Sequence, residues 1–299
     1  MTHAAITGWG KCLPPAVLTN QDLSTILDTS DEWIVSRSGI RERRISHVGL
    51  EELAYVAAAR ALAAAGLSGA DTELIVFGSC SYDDQVPNMA SGVQLRLGAH
   101  SAAALDINTA CTSFLYGITR WQFEGQEIFK RAVQGMAGAC EEALVRAGVG
   151  TADVGLLVPH QANLRIIEAV ARRARVPMER VYVNVQRYGN MSAATVPVAL
   201  CEALEEGRVL PGALLLMPGF GGGLSYCAHL VRWGRRIEPL GSSDAQLPPN
   251  DASALTLIRR CLERKTHPAV TSTADPFAEP QSAGLTPATT ARDPGGARA

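Results

Sequence analysis

One stretch, residues 105–117, constrains the fold more than any other part of the chain. Its apolar run ends at Ile107 and predicts a buried strand, small residues around Ala110 predict a tight turn, and residues 111–119 have helical spacing. A strand that turns sharply into a helix places the side chain of Cys111 at the helix N-terminus. There the helix dipole and the unpaired N–H groups favour a thiolate over a thiol, so Cys111 is a candidate nucleophile. This stretch alone leaves open a buried structural cysteine.

Two further turns carry the side chains that such a nucleophile would need. The motif Pro159-His160-Gln161-Ala162-Asn163 follows an apolar run and places a histidine at the tip of a second strand-to-helix turn. A third turn, Tyr188-Gly189-Asn190, places an asparagine before another helix. In acyl-thioester chemistry a thiolate takes the acyl group, and two N–H donors stabilise an enolate made by decarboxylation. The three turns together therefore favour a catalytic role for Cys111, His160 and Asn190.

The length, net charge and cysteine content limit which classes of protein this chain can belong to. A chain of 299 residues holds one large domain or two intimate ones. Lys and Arg number 27 against 29 Asp and Glu, and a net charge of −2 argues against nucleic acid or an anionic membrane as a bulk electrostatic partner. The seven cysteines form no CxxC pairs and indicate reduced thiols. With no signal-peptide pattern and no apolar run long enough to span a membrane, we expect a cytoplasmic protein.

Six motifs make the chain similar to one family. The sequence resembles β-ketoacyl-acyl-carrier-protein synthase III, the initiating condensing enzyme of bacterial fatty-acid synthesis, which has the thiolase fold. The resemblance covers most of residues 1–236. It rests on Asp31-Glu32-Trp33-Ile34, Ser38-Gly39-Ile40-Arg41-Glu42-Arg43, Thr109-Ala110-Cys111, Pro159-His160-Gln161-Ala162-Asn163, Gly189-Asn190-Met191-Ser192-Ala193-Ala194 and Gly219-Phe220-Gly221-Gly222-Gly223.

The resemblance implies a decarboxylative Claisen condensation that makes a 3-oxoacyl-acyl-carrier-protein. An acyl-CoA acylates Cys111, and a malonyl-acyl carrier protein then binds. His160 and Asn190 stabilise the enolate as CO2 leaves, and the N–H groups of Cys111 and Gly222 form the oxyanion hole. No metal and no cofactor other than the CoA thioester substrate is implied, because decarboxylation itself supplies the carbanion.

Three further residues and the assembly also take expected roles from the resemblance. Trp33 is expected to stack on the adenine of CoA, with Arg37 on the nucleotide side, and Arg165 to face the acyl carrier protein. A core tryptophan and ordinary solvated arginines are the alternatives that the residues themselves leave open. The family also implies a homodimer.

The expected fold class is α/β, a thiolase-like layered αβαβα architecture of two similar halves of which the first is incomplete. The spacing of apolar residues alone predicts only an α/β protein with mixed sheets. We call residues 1–120, with the nucleophile, the first half and residues 121–236, with His160 and Asn190, the second half. Residues 237–299 are rich in proline and predict a disordered tail, apart from a helix at 253–265. Strands are predicted at 4–10, 74–78, 154–158, 181–184, 213–217 and 224–233, and helices at 51–67, 88–97, 126–147, 161–173 and 192–206.

The sequence departs from the family after Arg120. His160 follows Cys111 by only 49 positions (160 − 111), far fewer than in family members. The rest of the nucleophile helix and the next strands of the first half, including strands that pair subunits, are expected to be missing. Such a loss exposes apolar faces and unpaired strand groups. We therefore expect lower stability, poor dimerisation and weak or no condensing activity.

Two other functions stay open beside the synthase. One is a related condensing enzyme of secondary metabolism, which would differ in its acyl donor or acceptor. The other is a non-catalytic deletion remnant or partner subunit, which the interruption after Arg120 suggests. A biosynthetic thiolase is disfavoured, because its second cysteine and histidine pattern is not visible.

Overall fold

A computed structural model of the chain describes residues 4–81, 87–116, 128–222 and 225–266. Residues through Arg260 form one compact unit, and the boundary predicted at 120/121 lies outside the described residues. In the first half the helices are α1 (Asn20–Ser24), α2 (Asp31–Ser38), α3 (Leu50–Ala65), α4 (Met89–Leu97) and α5 (Ser113–Tyr116), and the strands are β1 (Ala16–Thr19), β2 (Glu42–Ile45), β3 (Leu74–Gly78) and β4 (Ala103–Ile107). Later elements are α6 (Ile128–Ala147), α7 (Leu164–Arg173), α8 (Val185–Tyr188), α9 (Thr195–Glu205) and α10 (Ala254–Thr266), with strands β5 (Val154–Leu157), β6 (Leu214–Gly221) and β7 (Ser225–Arg232).

The strands of the described residues form three small sheets. Strands β1 and β2 pair antiparallel, with Thr19 opposite Glu42, and α1 and α2 lie between them in the chain. Strands β3 and β4 are parallel, with Gly78 opposite Ile107 at the end that leads to Cys111. In the second half β6 is central, parallel to β5 and antiparallel to β7. The carboxyl ends of β4 and β5 therefore each lead into a predicted catalytic turn.

The hydrophobic core lies mainly around β6. All eight residues of this strand are buried, as expected for a continuous apolar run between two partner strands. The largest cluster of buried side chains includes Leu215 and Met217 of β6, Leu200 and Leu204 of α9, and Leu115 from α5. The first half thus contributes the end of its nucleophile helix to the core of the second half.

Two predicted strands are absent from the structure. Residues 4–10 have no regular secondary structure and instead run against α3. A Cβ at Gly8 would lie 2.1 Å from the Ala61 carbonyl oxygen, and one at Gly10 would lie 2.3 Å from that of Ala57, so only glycine permits this approach. Residues 181–184 make a single bridge, between Leu157 and Val181, because Asn184 N donates to the Gln161 side chain instead of to a strand.

The predicted disordered tail needs a correction for residues 237–253. This segment has no regular secondary structure, but hydrogen bonds join it to the first half. Leu240 N donates to the Ala64 carbonyl oxygen at 3.0 Å, and the Arg60 guanidinium donates to that of Ala245 at 3.3 Å. The prolines of this segment lack a backbone N–H and disfavour regular secondary structure. Other backbone groups of the segment nevertheless form hydrogen bonds with residues of α3. The predicted helix at 253–265 is confirmed as α10, and residues 267–299 lie outside the described residues.

Candidate active site

The nucleophile turn is held by its own side chains. Residues Ala110–Thr112 form a 3₁₀ turn directly before α5, and Ala110 has a φ of 49°, a left-handed conformation that is uncommon for a residue with a Cβ. The Ser113 hydroxyl accepts from Thr109 N at 3.0 Å and donates to the Ala110 carbonyl oxygen at 2.8 Å. These bonds stabilise the sharp turn, which places a partly buried Cys111 in the first turn of a helical segment. The first N–H groups there lack intrahelical acceptors.

The strand before this turn is anchored by Asp106. Its carboxylate accepts from the backbone N–H groups of Met89 and Ala90, each at 2.9 Å. These are the first donors of α4, so the charge both caps that helix and ties it to β4. The position of the Cys111 turn is therefore fixed from the strand side by a side chain that sequence reasoning assigned only to the strand.

His160 lies deep at the end of β5, with only 1% of its surface exposed. Its backbone N–H donates to the Pro218 carbonyl oxygen of β6 at 2.9 Å, and Nδ1 lies 2.5 Å from the Thr195 hydroxyl oxygen. Burial lowers the pKa of His160 to about 4, because the charged imidazolium would lose its hydration. The ring is thus neutral at neutral pH, and Nε2 is the nitrogen left for a substrate.

The turn around Asn190 orients the side-chain amide of this residue. Gly189 adopts a φ of 65° and Ser192 a φ of 53°, so the chain between α8 and α9 bends sharply at both sides of Asn190. The Oδ1 atom of the exposed Asn190 accepts from Ser192 N at 2.9 Å. Because the amide oxygen is occupied, the two N–H groups of Nδ2 are the part of this side chain that remains to donate.

The structure brings the three turns together. The turn with Cys111 contacts residues Ser192–Ala194, which begin two positions after Asn190 and precede Thr195, the partner of His160. The end of β6 closes the group: a Cβ at Gly221 would lie 2.5 Å from the Thr109 carbonyl oxygen, and one at Gly222 would lie 3.9 Å from Ala110 Cβ. Glycine at 221 therefore lets the loop approach the nucleophile turn closely.

The predicted binding residues lie on the surface. Trp33 is 59% exposed on α2, and the guanidinium of Arg37 lies 5.8 Å from the centre of its indole ring. Arg165, also exposed, is on α7, which contacts α2. Ser30 caps α2 by accepting from Trp33 N. An exposed tryptophan rules out the core alternative for Trp33.

Sequence reasoning missed several residues of this site. Thr195 was assigned only to a helix, although its hydroxyl contacts His160. Thr112 and Ser225 share a hydrogen bond of 2.7 Å between β7 and the nucleophile turn. Cys80 Sγ lies 3.2 Å from the Ser192 hydroxyl oxygen. No local pattern could have found these pairs, because each joins positions 35 or more residues apart.

Comparisons with known proteins show the family of this chain. A family model described as 3-oxoacyl-[acyl-carrier-protein (ACP)] synthase III C terminal matches residues 144–233. A protein of Vibrio cholerae, beta-ketoacyl-[acyl-carrier-protein] synthase III 2, is 42% identical over 350 aligned positions that cover 87% of this chain and 97% of the relative. The chain belongs to this family. The family members are acyltransferases that condense acyl-CoA with malonyl-acyl carrier protein in fatty-acid biosynthesis.

Solved structures of the family confirm the expected thiolase-like α/β fold. The 3-oxoacyl-[acyl-carrier-protein] synthase III of Aquifex aeolicus superposes with a TM-score of 0.73 at 35% identity, covering 77% of this chain and all of that one. The priming beta-ketosynthase from the R1128 polyketide biosynthetic pathway superposes with a TM-score of 0.72 at 25% identity, covering 79% of this chain and 96% of that one.

The match with the Vibrio cholerae protein supports an internal loss of sequence from this chain. Since 87% of 299 residues is about 260, about 90 of the 350 positions aligned with the Vibrio cholerae protein have no residue in this chain. The predicted place of the loss, after Arg120, lies outside the described residues.

No helix among the described residues is long and apolar enough to cross a bilayer. The described residues also contain no cluster of three or more His, Cys, Asp or Glu side chains arranged for a metal ion.

Proposed function

We propose that Cys111, His160 and Asn190 carry out the family's condensation in this chain. The observation that carries the proposal is that one short turn, Ser192–Ala194, touches the Cys111 turn, anchors the Asn190 amide and leads into the partner of His160. Cys111 and Asn190, which are 79 positions apart (190 − 111), thereby share one site.

The first step is acylation. The thiolate of Cys111 attacks the thioester carbonyl of an acyl-CoA, a bond from sulfur to the acyl carbon forms, and the CoA thiolate leaves. The N–H groups of Cys111 and Gly222 stabilise the transient oxyanion. The close approach of the residue 221–222 loop to Thr109 and Ala110 supports this pairing.

The second step is decarboxylation and carbon–carbon bond formation. The bond from the malonyl α-carbon to its carboxylate breaks, CO2 leaves, and the electron pair becomes an enolate. Neutral His160 and the Asn190 amide each donate a hydrogen bond to the enolate oxygen. The α-carbon then attacks the acyl-Cys111 carbonyl and expels the thiolate, which restores the enzyme. A low pKa for His160 suits this role, because a neutral ring donates without transferring its proton irreversibly.

The surface residues fit the delivery of substrates. An indole face with a neighbouring guanidinium, as at Trp33 and Arg37, suits a nucleotide base and its phosphates. Arg165 on the contacting helix α7 suits the acidic surface of a carrier protein. We also propose a cytoplasmic location, in keeping with seven free cysteines, and a homodimer weaker than that of full-length relatives.

Peptide mass mapping after incubation with an acyl-CoA tests the nucleophile. We expect the label on Cys111 and its loss in Cys111→Ser, whereas Cys261→Ser, at an exposed thiol on α10, keeps it. Label on another cysteine with Cys111 clean would contradict the assignment. A profile of acyl donors and acceptors separates fatty-acid synthesis from the secondary metabolism of the polyketide-priming relative.

A further inference from the structure

Thr195 links both predicted enolate donors. Its side chain is fully buried at the first position of α9. The hydroxyl oxygen lies 2.5 Å from His160 Nδ1 and 3.1 Å from the Ser192 carbonyl oxygen. Ser192 is also the residue whose N–H fixes the Asn190 amide oxygen. Ser192 therefore contacts both the Asn190 amide and Thr195, which in turn contacts His160.

The hydroxyl has a single hydrogen and two acceptors within reach. If it donates to Ser192, Nδ1 must carry the imidazole hydrogen and Nε2 is bare. If it donates to Nδ1, the neutral ring carries its hydrogen on Nε2. Hydroxyl bonds to oxygen are usually 2.7–2.8 Å, so 3.1 Å is long and the contact with Nδ1 is the tighter one. Since burial holds His160 neutral, the choice between these two tautomers decides whether Nε2 can donate.

We propose that Thr195 is a positioning residue whose hydroxyl donates to Nδ1 of His160 and keeps the hydrogen on Nε2, aimed at the substrate. The inference rests on the proposed role of His160 in decarboxylation. Its consequence is that two neighbouring residues set both donors before malonyl binds: Ser192 holds the amide of Asn190, and Thr195 sets the ring tautomer of His160. Thr195 itself does not touch the reacting atoms.

Two substitutions separate the hydroxyl from the shape of the side chain. Thr195→Val keeps the branched shape and removes the hydroxyl, and Thr195→Ser keeps the hydroxyl. We expect Thr195→Val to slow malonyl-acyl-carrier-protein decarboxylation by about 10- to 10²-fold, with acylation of Cys111 changed less than about twofold. Thr195→Ser should lose less than about threefold in decarboxylation. Nitrogen-15 NMR of labelled histidine should place the hydrogen of His160 on Nε2 in the native chain and on a mixture of Nδ1 and Nε2 in Thr195→Val.

Three results would overturn the proposal. Decarboxylation at the native rate in Thr195→Val would show that the hydroxyl is dispensable. A larger loss in Thr195→Ser than in Thr195→Val would show that the side-chain shape matters more than the hydroxyl. A native ring with its hydrogen on Nδ1 would reverse the assigned tautomer. If the native chain neither acylates Cys111 nor decarboxylates malonyl, the proposed function fails, and the NMR comparison still decides the role of Thr195 toward His160.

Discussion

The two halves of the molecule place similar strand-to-helix turns on sheets of very different burial. In the second half every residue of β6 is buried between β5 and β7. In the first half β3 and β4 pair only with each other among the described residues, and Leu74 and Leu105 are 53% and 39% exposed. The same kind of apolar strand is therefore a core element in one half and a half-covered surface in the other.

The difference shows what holds each catalytic turn. The three clusters of buried hydrophobic residues in the described chain centre on the second half, to which the first half adds Leu115. The Cys111 turn depends instead on the local hydrogen bonds of Ser113, on the bonds that Asp106 accepts from the start of α4, and on its contact with β6. A turn can thus keep its shape beside a small sheet, although that sheet buries little apolar surface to stabilise its half.

The largest expected effect comes from restoring the missing segment. Inserting the corresponding residues of the Vibrio cholerae relative after Arg120 should raise malonyl-dependent condensation at least about 10²-fold, because placement errors of about 1 Å cost that much. Light scattering should also show a dimer. A Gly/Ser insert of equal length is the control. A native chain that is already a stable dimer with ordinary turnover would contradict the expected defect.

Matched leucine truncations test the contrast in burial directly. Leu216→Ala in β6, at a fully buried position, should lower the free energy of unfolding by about 2–5 kcal/mol. Leu105→Ala in β4, at a position that is 39% exposed, should lower it by less than about 1 kcal/mol. Urea unfolding measures both. Equal losses would mean that the first half is as well packed as the second.

Acid should weaken the second half through His160. Its folded pKa of about 4 lies below the ordinary 6.5, so the unfolded state binds more protons between these values. The stability is fully present above pH 6.5 and is lost as the pH falls toward 4, by on the order of 3 kcal/mol at 1.36 kcal/mol per pH unit. His160→Gln should flatten this part of the curve. Identical pH profiles for the two proteins would show that His160 is not buried as a neutral ring.

The smallest effect is expected where the proline-rich segment meets the first half. Arg60 donates to the carbonyl oxygens of Lys11 at 2.8 Å and Ala245 at 3.3 Å, and Arg60→Leu should cost about 1 kcal/mol. Arg146→Leu, at an exposed i,i+4 pair of α6, should cost less than about 0.5 kcal/mol. Hydrogen exchange should speed up in α3 and stay unchanged in β6. Faster exchange in β6 would indicate that the two halves unfold together.

The sequence by itself determined the local features of this protein. The apolar runs fix β3 at residues 74–78 and place β4, β5 and β6 within a few residues. The residue types at three turns predict Cys111, His160 and Asn190. The spacing of 49 predicts a missing segment, which the match with the Vibrio cholerae relative supports. These features depend on neighbours along the chain, which a sequence pattern records.

Only the tertiary structure decided which segments find partners. Residues 4–10 and 181–184 are apolar enough for strands, but a strand exists only where another backbone pairs with it, and here α3 and Gln161 take those places. Residues 237–253 have a composition typical of disorder and are nevertheless held by Arg60 and Ala64. The contact of Thr195 with His160 likewise depends on two turns that meet in space, because hydrogen bonds follow distance and not sequence separation.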